Sequence, residues 1–258
     1  MQSKYYFVAA IAIAGTITAC GDSYDEPTTP APTPTIQIVS GNGDITPTVT
    51  NYRALLGEPR NGGAVGPSAV GRREVNWDGV PAEFNNGDNR FPAAFFNTTV
   101  KLGLVMTTPA TGFRNDSSLF GDLDLSLRDQ FATFSANKLF TVSNGNVVDV
   151  HFQLAGQPTP GVVAGFGAVF VDVDLADRTT LEYFDRNGVS LGKILVPVRT
   201  AATPFSFAGA RFPTAVVARV RITLGTGALS TGLKDITAGG ATDAVVLDDF
   251  LYSEPQPL

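Results

Sequence analysis

From residue 36 onward, apolar residues recur at every second position in short runs that Gly, Pro and Asn interrupt. In residues 216–224, Val216, Ala218, Val220, Ile222 and Leu224 share one face, while Arg219, Arg221 and Thr223 share the other. Period two predicts a half-buried strand. Residues 147–154 repeat the pattern with Val148, Val150, Phe152 and Leu154 inward. Asp185-Arg186-Asn187-Gly188 separates two further runs, 179–184 and 189–196, and Asn and Gly tolerate the positive φ of a tight turn, so a hairpin is expected there. Residues 165–173 (GFGAVFVDV) and 243–252 (DAVVLDDFLY) are apolar on both alternating sets, which predicts strands covered on both faces. Helix signals are limited to a turn or two around residues 52–56. No fixed-period repeat occurs. The expected fold is all-β: a single-domain antiparallel two-sheet β-sandwich, jelly-roll-like, over residues 36–258.

Composition narrows the partners. With 43% apolar residues, 18 Phe among them, and 16% charged residues, the chain can bury a core and is not disordered. The 18 Lys+Arg against 24 Asp+Glu leave a net charge of −6, which repels a phosphate backbone, so nucleic acid is excluded as an expected partner.

The first residues follow another rule. Lys4 precedes an apolar run from Tyr5 to Ile17 that is too short to span a bilayer and has the form of a signal peptide. Ile17-Thr18-Ala19-Cys20 then sets an aliphatic and two small residues before the only cysteine, which Gly21 follows. This resembles the lipobox of bacterial lipoproteins. The resemblance implies cleavage after residue 19, diacylation of Cys20 and attachment to a membrane through lipid. Acyl chains contribute about 0.8 kcal/mol per buried CH₂, so two or three of them hold firmly. Residues 20–35, rich in Pro and Thr, read as a semi-rigid tether between the anchor and the 36–258 domain. Gly21 rather than Asp after the lipid cysteine points to the outer membrane or cell surface rather than the inner membrane.

The chain's inventory limits its chemistry. Its one histidine, His151, shares a polar strand face with Asp149 and Gln153 and reads as a solvated surface residue. No G-x-S-x-G, Walker or complete G-x-G-x-x-G pattern occurs. Glu74 and Asp78, the tempting carboxylate pair, lie about 13 Å apart if residues 72–78 form one strand, too far for glycoside hydrolysis. Trp77, the only tryptophan, is the candidate ligand-binding residue: exposed at a sandwich edge it would stack on a sugar, whereas its phase with Val75 favours the core. Acids in apolar strands need a partner. Asp248 and Asp249, together with Asp172, Asp174, Asp177 and Asp78, are therefore candidate oxygen ligands for a structural Ca²⁺, against hydrogen bonding to turn amides or Arg. Alternation sends Asp248 and Asp249 to opposite faces.

Residues 71–81 (GRREVNWDGVP), 165–174 (GFGAVFVDVD) and 245–255 (VVLDDFLYSEP) together resemble exported, uncharacterised bacterial proteins with one β-sandwich domain, including those of PEP-CTERM type. This chain departs from the latter by ending without a hydrophobic helix and basic tail. The resemblance implies fold and export, not an activity. The expected function is non-catalytic: a lipid-anchored binding or adhesion module for carbohydrate or another extracellular polymer. The alternatives are a structural envelope lipoprotein without a soluble ligand and, third, a hydrolase.

Overall fold

A computed structural model describes residues 35–258. The signal peptide, Cys20 and the tether up to residue 34 lie outside the described residues. Fourteen strands and two helices follow in chain order: β1 (Gln37–Asn42), α1 (Thr46–Leu56), β2 (Arg72–Val75), α2 (Phe95–Thr98), β3 (Leu104–Thr107), β4 (Gly112–Asp116), β5 (Leu139–Ser143), β6 (Val147–Phe152), β7 (Gly161–Val162), β8 (Gly165–Val171), β9 (Thr180–Phe184), β10 (Ser190–Leu195), β11 (Phe205–Arg211), β12 (Arg219–Thr223), β13 (Val246–Ser253) and β14 (Gln256–Pro257). One sheet has the order β1-β11-β8-β13-β5-β4, with β2 also on β13; the second has the order β10-β9-β12-β6-β3; β14 and β7 form a short ladder. Every ladder between these strands is antiparallel. The all-β sandwich expected from the pattern is the fold observed.

The two sheets bury one core between them. Phe166, Phe250 and Tyr252 of the first sheet meet Val150, Phe152 and Ile222 of the second. Tyr183 crosses the interface and donates its O–H to the Phe166 carbonyl at 2.8 Å. The predicted hairpin joins β9 to β10, and Asp185 Oδ1 accepts the amides of Asn187 and Val189 across its turn. In the 216–224 run the inward set holds for Val220, Ile222 and Leu224, but Val217 rather than Val216 or Ala218 is buried. An isolated bridge from Val217 to Val163 changes the phase before β12 begins.

The first sheet is covered on its other face as well, which accounts for its unbroken apolar runs. Helix α1 lies there and buries Val49, Tyr52 and Leu56, one stripe at i, i+3 and i+7, against Val169, Phe207 and Leu251. Gly167 and Gly209 face each other in the register beneath it. A Cβ on either would stand 2.7–2.8 Å from the Tyr52 ring. The missing side chains let Tyr52 reach the sheet, where its O–H donates to Ala210 O at 2.8 Å. That is the structural use of GFGAVF.

Candidate functional site

Strand β2 ends at Val75, and Trp77 takes φ 60°, so residues 72–78 are not one strand and the distance expected between Glu74 and Asp78 on that basis falls away. The turn drives the Trp77 ring inward. It stacks on Phe140 at 4.0 Å and 6°, meets Phe91, Phe96 and Phe250 edge-on, and donates Nε1–H to the Asp248 carbonyl at 2.5 Å. At 1% exposure it is a core residue. Of the two readings of Trp77, the core one that its phase with Val75 favoured is observed, and the candidate ligand-binding role of an exposed ring is corrected: its faces are taken by phenylalanines.

Above this cluster a cleft of about 380 Å³ opens between β2, the 60–63 segment and α2. Its floor is apolar, from Trp77, Phe96 and Leu102, and its rim carries Arg60, Glu74 and Asn76. Asn76 is exposed. Burial opposes ionisation of Glu74, but hydrogen bonds from Arg72 at 2.7 Å and from Arg53 at 3.1 Å outweigh it and hold the carboxyl below its ordinary range. Arg60 adds a contact at 3.8 Å. The cleft therefore presents a fixed negative charge, an amide and an exposed cation over an apolar floor.

Asp248 and Asp249 sit in a β-bulge of β13 between Leu247, which pairs with β5, and Phe250, which pairs with β2. A bulge breaks strict alternation. Both carboxyls reach the α1 side, contrary to the opposite faces expected: Asp248 accepts from the amides of Phe134 and Ser135 and from Ser135 Oγ, and Asp249 lies 3.7 Å from Arg53. Asp249 Oδ1 is buried without a partner. Burial first, and the neighbouring acid second, push Asp248 up to about 8, and burial raises Asp249. Three cations (Arg53, Arg60, Arg72) pair with Glu58, Glu74 and Asp249, and Asp248 beside them brings the acids to four, one more than the cations.

The candidate cation ligands do not converge as a set. Asp172 and Asp174 are brought together with Asp235, each offering one oxygen within 4.8 Å of the others. Asp177 is exposed, Asp78 accepts from Asn137 N at 2.8 Å, and Asp248 and Asp249 belong to the bulge, so these four leave the set. Asp235 was not singled out by sequence because it lies more than sixty residues from Asp172 and reads locally as a turn cap: its Oδ2 accepts from Thr237 N. Arg199 Nε contacts Asp172 and Asp174 at 2.8 Å each. Burial, then Asp174 and Asp235, push Asp172 up to about 7. Three carboxylates less one guanidinium leave a formal −2, and the oxygens fit a hard divalent cation.

On the open face of the second sheet, Lys193, Glu182, Arg221, Asp149 and Thr107 form one cross-strand row of alternating charge. Asp149 is committed to Arg219 at 2.6 Å and Arg221 at 2.8 Å, and Arg219 also lies 3.7 Å over the Phe184 ring. His151 hydrogen-bonds Thr107 at 2.9 Å and burial lowers its pKa. Asp149 is thus not the orienting partner of a catalytic histidine.

No family model matches the chain, and no curated protein matches it. Three solved structures align at TM-scores of 0.29–0.30: a Bacillus subtilis family 43 arabinoxylan arabinofuranohydrolase (14% identity over 55% of this chain and 24% of that one), a family 6 carbohydrate-binding module (12%, 60% and 95%), and the enzymatically active domain of bacteriophage CBA120 tailspike protein 4 (13%, 66% and 21%). The chain thus spans under a quarter of the hydrolase and of the tailspike domain. At these scores the alignments carry no argument about activity, and the sandwich assignment rests on the strand pairing. Among the described residues no helix is long and apolar enough to cross a membrane.

Proposed function

We propose that the chain is an exported lipoprotein, anchored through Cys20 at the outer membrane or cell surface, whose β-sandwich binds a glycan or another extracellular polymer without catalysis. The cleft beside β2 carries this reading. Its volume, about 380 Å³, lies in the range of small-ligand clefts of roughly 300–1,000 Å³, and Arg60, Glu74 and Asn76 offer hydrogen-bonding groups to the hydroxyls of a sugar. Glu74, held ionised by its arginines, is poorly placed to serve as a general acid, which favours binding over hydrolysis. The Ile17-Thr18-Ala19-Cys20 sequence supports the anchor. Asp172, Asp174 and Asp235, with Thr237 Oγ1 in contact with Asp174 at 2.8 Å, are the residues we propose to hold a structural Ca²⁺.

A glycan array probed with the full chain tests the binding reading. Saturable binding to one glycan class, weakened at least tenfold in Asn76→Ala or Arg60→Ala, is the expected result. A blank array favours a structural envelope lipoprotein, and release of reducing ends from a bound glycan favours a hydrolase.

A further inference from the structure

A second cavity, of about 460 Å³, opens at the C-terminal end of α1 on the outer face of the first sheet. Its lining includes Arg211 and Ser253, the apolar Leu56 and Val70, and two carboxylates, Glu58 and Glu254. Arg211 ends β11 and pairs with Gly165 of β8, and since Phe166 pairs with Tyr252, Ser253 follows in the same row. Gly165, between them, has its Cβ side filled: a Cβ there would stand 2.8 Å from Leu56 Cδ2 and 3.2 Å from Arg211 Cδ. Arg211 Nε is buried and has no hydrogen-bond partner among the described residues. Among the described residues the guanidinium makes no ion pair. The nearest acids are taken, Glu58 by Arg72 and Glu254 by Arg73 at 2.7 Å, with Asn61 and the Ser68 amide also on Glu254. Ser253 Oγ accepts the Ala164 amide at 2.7 Å, and its own O–H has no acceptor among the described residues.

A guanidinium without an ion pair, beside a hydroxyl with a proton to give, in a cavity whose two carboxylates are already held by Arg72 and Arg73, is complementary to a planar anion. We propose that this cavity is a carboxylate-binding site in which the terminal nitrogens of Arg211 hold the carboxylate while Ser253 donates to it. The ligand is a compact carboxylate with one apolar face, either the uronic acid unit of an extracellular polymer or a free small organic acid. The site is separate from the cleft beside β2 and stands whether or not that cleft binds a glycan.

Titration calorimetry of the full chain with galacturonate, galactose and acetate tests it. Galacturonate is expected to bind saturably and at least tenfold more tightly than galactose, and Arg211→Gln to lose at least tenfold. Acetate weaker than galacturonate identifies a sugar-borne carboxylate; equal affinity identifies the small acid; either supports the site. Arg211→Gln removes an unpaired cation and is expected to melt no lower than the wild type. Should it unfold, Arg211→Lys, which keeps the charge and loses the fork, is expected to bind with intermediate affinity. No saturable binding of either anion to the wild type, or binding unchanged in both variants, overturns the proposal.

Discussion

Trp77→Ala is expected to cost about 3–5 kcal/mol in denaturant unfolding, because the ring fills the junction of four phenylalanines and its N–H satisfies a bulge carbonyl. A loss below about 1 kcal/mol would mean that the ring is not packed as described. Asp248 makes a pH prediction. Its folded pKa, pushed up to about 8, lies above the ordinary carboxylate value, so the fold binds this proton more tightly than the unfolded chain does. The associated stability is fully present below about pH 4 and is lost as pH rises through about 8. Melting temperature should therefore fall between pH 5 and pH 9. Asp248→Asn, which can keep an oxygen toward the Phe134 and Ser135 amides, should flatten part of that slope; an equally steep profile in the variant would refute the assignment. The sequence marked Asp248 and Asp249 as anomalous acids in an apolar strand, yet the bulge that turns both to one side was hidden, since alternation assumes an unbroken ladder.

At the scale of elements, the legible strands were those with one wet face or none. The hairpin of β9 and β10 announced itself through Asn187-Gly188, and β8 and β13 through length of apolar run. Helix α1 did not. Its first turn holds no acid, its N-cap makes no side-chain hydrogen bond, and Thr46, Thr48, Val49 and Thr50 are β-branched. Burial of its Val49, Tyr52 and Leu56 stripe against a sheet supplies what local propensity lacks, a contribution no single segment displays. The Gly167 and Gly209 pair makes that packing testable. Gly167→Ala should cost about 1–3 kcal/mol through a clash with the Tyr52 and Phe207 rings and the Gly209 backbone, read by chemical denaturation, while Gly188→Ala, with nothing within 4 Å but φ 77°, is penalised only through its backbone. Equal stability of Gly167→Ala and wild type would show that α1 does not depend on the gap.

At the scale of the whole molecule, the acid triad joins residues that meet only once the sheets are assembled, so two of its members were legible and one was not: Asp172 and Asp174 share a strand end, whereas Asp235 arrives on a distant turn. A cation that binds only the native state stabilises it by about 2.7 kcal/mol at a hundredfold excess over Kd. Millimolar Ca²⁺ should raise the melting temperature of the wild type and leave Asp235→Asn unmoved; no shift in the wild type would leave Arg199 as the only counter-charge. The candidate cleft was out of reach of sequence for the same reason, since Arg60, Asn76 and Phe96 come from separate segments. What the alternation did disclose was Trp77 in phase with Val75, the reading in which the ring belongs to the core. The central claim is that this cleft takes the ligand. Backbone NMR of the full chain, titrated with the strongest glycan from the array, measures it most directly: the account predicts saturable shifts concentrated at Gly62, Gly63, Asn76 and Gly79, and shifts confined to the open face around His151 and Arg219, or none at saturating glycan, would contradict it.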